Sequence, residues 1–325
     1  MAIFPKCYDV DAARERLAWV TASRVDAAPS NTLGVLFTSS APPSRVKVVA
    51  TERGRSRAAV EKGDGESELI LEITGVVLKT DLPPIEKRLP PGRERYIRQA
   101  IKLTGLGLPM FESALSDIHG IREVFKRSVT GAVADVDNFA LDDGYSIDIS
   151  NRYFSSGHDV NEEDITEFDN DVDPRGYLAE RSSPEFVHTK LNQVSYVAYS
   201  EDPTEDRPRY LHCTPAAVKI GDIVTCKLAF ALVPMPRGKA TQWKFLHVLR
   251  AIAVMDTSLT EAASATAVLE GLNISAKASS PATSTLKHGN ITFDGALGQP
   301  PKRSKRYHDD SDEEVDTVET EVKDD

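Results

Sequence analysis

The chain has 325 residues, 40% of them hydrophobic, with a formal net charge of -11 and three cysteines. That length and apolar content suffice for one large core or two smaller ones, and no apolar run reaches the ~18 residues of a membrane-spanning helix. Cys7, Cys213 and Cys226 are irregularly spaced, and the N-terminus lacks the basic start and apolar run of a signal peptide, so free thiols in a reducing compartment are expected. The charge is concentrated near one end. Residues 307–325 hold ten Asp or Glu against one Lys, directly after Lys302, Arg303, Lys305 and Arg306. The remaining body is mildly acidic, which argues against a general electrostatic grip on nucleic acid but not against a local basic patch.

In chain order, Asp11 to Val25 reads as a helix with Asp11 as cap and Ala13, Leu17, Trp19 and Val20 as its buried side. Leu33 to Phe37 and Arg45 to Ala50 read as short strands, followed by a hydrophilic connector carrying Arg53, Arg55 and Arg57 with no interleaved aromatic residue. Leu69 to Leu78 is a further strand in which Gly75 marks a bulge or a close approach. Two helical stretches are expected next. Arg93 to Leu103 places Ile97, Ala100 and Ile101 together, and Phe111 to Val129 repeats apolar residues at nearly the helical period. The intervening Gly105-Leu-Gly107 lacks the third glycine of a dinucleotide loop and the Gly-Lys-Ser/Thr of a P-loop.

From Asp142 to Asp173 eleven acidic residues face the single Arg152, a composition expected of a solvated loop. Asp169, Asp171, Asp173 and Glu180 fall at the first, third, fifth and twelfth positions of a calcium loop, which makes them the candidate metal ligands. Pro174 stands at the sixth position, where that loop turns on glycine, so the spacing departs from a calcium loop there; calcium or another divalent cation is the one cofactor the sequence points to. His188, His212 and Cys213 lack the paired spacing of a zinc site. No catalytic residue is nominated.

The firmest structural signal lies between Val218 and Met255. Two apolar runs rich in strand formers flank the loop Pro234 to Gln242, which predicts an antiparallel pair. Val224, Cys226, Leu228, Phe230 and Leu232 alternate toward a core. The second strand is apolar on both sides, as in a covered barrel or sandwich, and Arg250 must reach a rim or a carboxylate. Gly221-Asp222-Ile223-Val224, the strand ending at Val233-Pro234, Gly238-Lys239, and Lys244 through Leu249-Arg250-Ala251-Ile252-Ala253 resemble a region shared by many predicted proteins of mushroom-forming (basidiomycete) fungi. The resemblance covers roughly residues 170–257, and it implies no activity and supplies no catalytic residue.

Ser258 to Leu272 is compatible with a helix, and residues 274–301 have a linker composition. Lys302, Arg303, Lys305 and Arg306 after two prolines match a monopartite nuclear import signal, and Ser311 among acidic residues matches an acidophilic phosphorylation site.

The sequence therefore predicts an α+β chain. Its expected parts are a mixed α/β region over 1–130, an acidic loop or linker over 131–175, a β-rich barrel or sandwich over 176–272, and a disordered acidic tail over 273–325. The expected role is a non-enzymatic nuclear protein-interaction module, its acidic segments engaging basic nuclear proteins and its basic cluster a nuclear import receptor. Two alternatives stay open: a single-stranded nucleic-acid-binding barrel using Arg237, Lys239, Trp243, Lys244 and Arg250, and a metal-dependent enzyme using the acidic loop.

Overall fold

The structure is a computed structural model, and it describes residues 4–28, 31–35, 45–51, 56–61, 67–134, 140–141, 144–200, 209–235 and 242–278. Three helices stand among the described residues: α1 (Val10–Ala27), α2 (Pro109–Arg127) and α3 (Ser258–Ala278). The first strands are β1 (Val46–Ala50), β2 (Arg57–Glu61), β3 (Leu71–Asp81), β4 (Arg98–Thr104), β5 (Ala132–Val133), β6 (Ala140–Leu141) and β7 (Gly144–Arg152). The remaining strands are β8 (Ser155–Ser156), β9 (Phe186–Val187), β10 (Ser195–Ser200), β11 (Arg209–His212), β12 (Ile223–Met235) and β13 (Gln242–Asp256).

Five of these strands close on themselves. β12 pairs with β3, β3 with β4 and β4 with β7, all antiparallel; β7 runs parallel to β13, and β13 returns antiparallel to β12. Taken in chain order, the five members are arranged 1-2-3-5-4 and back to 1, the connectivity of a five-stranded Greek-key barrel of the OB type. Closure removes the free edges that an open sheet of this size would present. Two wings extend it: β1–β2 joins β12 beyond the barrel, and β10–β11 joins β13, with Tyr196 opposite Ile252.

The alternation expected for the long hairpin is present. Val224, Cys226, Leu228, Phe230 and Leu232 are all at most 1% exposed, and β12 and β13 pair from Ile223–Asp256 to Met235–Gln242. They meet Ile73, Ile101, Leu103, Ile147 and Ile149 in one core. α2 packs against this core through the expected stripe, and Phe125 sets its ring edge on Phe245 at 5.3 Å. Gly75 is the close approach anticipated from the sequence: a Cβ there would lie 3.0 Å from the Thr104 carbonyl oxygen and 3.1 Å from the Phe111 ring. α1 packs on the other side of β3 through Ala13, Leu17 and Val20. A third cluster of Tyr153, Phe154 and Leu178 holds the excursion between β7 and β10.

Four expectations are corrected. The stretch from Arg93 to Leu103 is not a helix: Glu94–Tyr96 is a single 3-10 turn and Arg98–Thr104 is β4. Gln99 occupies an inward position there, so the alternation Gln99, Ile101, Leu103 was masked by a polar residue. Gly144–Arg152, inside the expected acidic loop, is a central barrel strand whose Ile147 and Ile149 face the core. Three of the barrel's five strands thus precede residue 176, and the barrel draws on both halves of the chain instead of the C-terminal part alone. The cap of α1 is Asp9, which accepts from the Ala12 N–H, and Trp19 is 49% exposed, with the Arg16 guanidinium over its ring.

Candidate functional site

The connector from β3 to β4 and the outer side of β4 and β7 form a positively charged strip. Residues 82–104 hold six Lys or Arg against two Glu in a chain whose total charge is -11. The strand geometry dictates which side chains share the strip. Gln99, Ile101 and Leu103 point inward, so Arg98, Ala100 and Lys102 point out. On β7, Ile147, Ile149 and Asn151 are buried, which turns Asp148, Ser150 and Arg152 outward.

The register then sets Lys102 opposite Asp148 and Arg98 opposite Arg152. The first pair is a salt bridge of 3.3 Å. The second is a pair of like charges at directly opposed positions, an arrangement that destabilises a sheet by a few tenths to about 1 kcal/mol. Among the described residues Arg93, Arg95, Arg98 and Arg152 form no ion pair, whereas the neighbouring Arg88 reaches Glu180 at 3.4 Å. Burial holds the Arg152 guanidinium below its usual range, Arg98 and Arg95 push it the same way, and Asp159 opposes them.

The 3-10 turn before β4 fixes one aromatic ring beside this cluster. The Tyr96 and Ile97 N–H groups both donate to the Arg93 carbonyl, the Arg98 Nε donates to the Tyr96 carbonyl at 3.3 Å, and the Tyr96 side chain is 66% exposed. Guanidinium groups with an open ring beside them are the elements of a site for a phosphate backbone and an unstacked base.

The residues nominated from the sequence are placed elsewhere. Trp243 is 8% exposed and turned into the barrel, where its Nε1 donates to the Thr130 carbonyl at 3.0 Å, so its face is not open for stacking. Lys244, next along β13, is exposed on the other side. Arg250 makes a two-pronged contact with Glu68 at 2.9 and 2.6 Å and also donates to the Leu191 carbonyl, so its charge is already matched. Arg237 and Lys239 lie outside the described residues, as do Lys302, Arg303, Lys305, Arg306 and Ser311.

The calcium spacing does not produce a calcium loop. The Asp173 carboxylate accepts from the Leu178 and Ala179 N–H groups at 2.9 Å each, Asp169 accepts from the Asp171 N–H at 3.0 Å, and Glu180 turns to Arg88. The segment is a backbone-capped turn leading into a three-residue 3-10 helix, without the flanking helices of an EF-hand. Among the described residues no three His, Cys, Asp or Glu side chains converge on a point suited to a metal ion.

The Arg98–Arg152 pair was absent from the sequence reading. Its signal was the alternation of Arg98 and Lys102 with Ile101 and Leu103, visible only once Arg98–Thr104 is taken as a strand. No protein-family model and no curated protein matches the chain. Among solved structures, the chain is similar to gp2.5, a single-stranded DNA-binding protein encoded by bacteriophage T7. The identity is 13%, over 58% of this chain and 87% of that one, with a TM-score of 0.29. At that TM-score the likeness carries no weight, and the site stands on its own geometry.

Proposed function

We propose that the protein binds single-stranded nucleic acid along the outer side of β4 and β7, with the connector 82–97 as one wall. The observation that carries this reading is the unpaired Arg98–Arg152 couple at opposed positions of a barrel face. A phosphate between the two guanidinium groups turns a repulsion into two charge-assisted hydrogen bonds. Arg93 and Arg95 extend the contact along a backbone, and the exposed Tyr96 ring takes the face of a base. A single strand is favoured over a duplex because that ring needs an unstacked base, and because the strip is narrow within an acidic body.

Fluorescence anisotropy of a labelled 20-nucleotide strand across a salt series tests the reading. With about four phosphates neutralised, log affinity is expected to fall against log salt with a slope near -3. Arg98→Ala with Arg152→Ala should lower affinity at least tenfold and flatten the slope by about 1.4, the share of two contacts. Undetectable binding at low salt, or an unchanged slope in the double variant, would sink the proposal.

A further inference from the structure

A cleft of about 420 Å3 separates the excursion after β7 from β10 and β11, a volume within the range of small-ligand sites. Its walls include Tyr153, His188 and Tyr196, with Gln99 of β4 and Arg250 of β13. Gln99 is the inward neighbour of Arg98 on β4, and Tyr153 directly follows Arg152 at the end of β7, so the cleft opens on the inner side of the strand end whose outer side carries the guanidinium pair.

Most polar groups in these walls are already engaged. The Tyr196 hydroxyl donates to Gln99 Oε1 at 2.6 Å, Gln99 Nε2 donates to the Asn192 carbonyl at 3.1 Å, and Arg250 is held by Glu68. Two are not. Tyr153 is 1% exposed, yet its hydroxyl has no hydrogen-bond partner among the described residues, an arrangement that is unfavourable unless something enters to accept from it. His188 is 6% exposed, and its Nδ1 donates to the Tyr153 carbonyl at 2.8 Å, which leaves Nε2 as an acceptor. The Phe168 ring backs the imidazole at 4.0 Å and 26°, fixing its plane, and burial keeps it neutral by lowering its pKa.

The charges in the walls narrow the ligand. Asp169 and Asp171 both line the cleft, with His212 3.9 Å from Asp171; among the described residues Lys190 is the one wall cation that Glu68 does not already match, so the two carboxylates outweigh it and disfavour a phosphate or carboxylate. At the buried end of the cleft stand one donor and one acceptor beside a fixed aromatic plane, with the exposed Lys190, Gln193 and Ser195 at its mouth, an arrangement complementary to a flat, uncharged heterocycle with hydrogen-bonding edges. We propose that the cleft receives one base splayed out of the bound strand, read by the Tyr153 hydroxyl and His188 Nε2. The inference rests on the strand-binding reading above and adds base preference to a site that otherwise grips only backbone.

Calorimetric titration of the full chain with adenosine, guanosine, cytidine and uridine tests the cleft without any phosphate. Saturable binding of at least one nucleoside is expected, weakened about five- to tenfold by Tyr153→Phe, the loss of one hydrogen bond. Tyr153→Phe removes a hydroxyl that bonds nothing, so the fold should persist. Ser195→Trp, an exposed wall position, provides a second block and should abolish nucleoside binding. Arg98→Ala with Arg152→Ala should leave nucleoside affinity unchanged while weakening the oligonucleotide, which separates the two readings. The cleft proposal is overturned if no nucleoside saturates, or if both wall variants bind as the parent does. Nucleoside binding with no oligonucleotide binding would leave the cleft a nucleoside site and overturn its role in reading a bound strand.

Discussion

Arg98 and Arg152 make opposite demands on the chain. Each is an outward residue of a barrel strand, and their opposition raises the energy of the free protein while preparing it for an anion. Either single Ala variant should therefore unfold at slightly higher urea concentration than the parent, by up to about 1 kcal/mol, even as it binds a strand less tightly. His247 poses a different problem, because it is a titratable ring inside the barrel. It is 7% exposed between Phe230 and Phe245, its Nδ1 donates to the Asp148 carbonyl at 3.0 Å, and its Nε2 has no partner among the described residues.

Burial lowers the His247 pKa from 6.5, and His188 shifts the same way. Below 6.5 the unfolded chain takes up protons that the native barrel still refuses, so stability present above that pH is lost as pH falls toward the folded pKa values. The buried Asp222 has a raised pKa and contributes in the opposite sense, but over the more acidic range where carboxylates titrate. Urea midpoints should accordingly drop between pH 7.5 and pH 5.5. The drop should be smaller in His247→Phe, and an equal drop in that variant would exclude His247 as its source.

Among the elements, α2 and the β12–β13 pair were legible because their apolar positions follow one period without interruption: 111, 115, 118, 121 and 125 in the helix, and every second residue from Val224 to Leu232 in the strand. β4 and β7 were not. Each places a polar amide where the pattern calls for an apolar residue, and each amide is satisfied only by groups distant in sequence. Gln99 meets Tyr196 and Asn192, and Asn151 meets the Leu191 and Leu249 carbonyls. The opposition of Arg98 and Arg152 is likewise set by register across 54 positions, which no local window contains. For α2 the load falls on Phe125, fully buried against Phe245. Phe125→Ala should destabilise by about 3–5 kcal/mol in urea, whereas Trp19→Ala on the open side of α1 should change stability by about 1 kcal/mol or less.

At the scale of the whole molecule, the barrel is closed by strands from opposite parts of the chain. β3, β4 and β7 lie within residues 71–152, and the two strands that complete the ring begin at Ile223 and end at Asp256. Such long-range pairing delays folding, because loop closure precedes any reward from contacts. It also has a consequence during synthesis. A ribosome that has made the first 220 residues holds a three-stranded sheet in which β3 and β7, at its two edges, both lack their barrel neighbours, and the Leu71, Ile73 and Ile149 side has α2 but not β12 and β13 to cover it. The nascent chain must therefore be shielded until Asp256 has emerged. A chain ending at Gly221 should accumulate in the insoluble fraction or on chaperones when expressed, and a soluble, protease-resistant core over 71–152 would contradict this order of assembly.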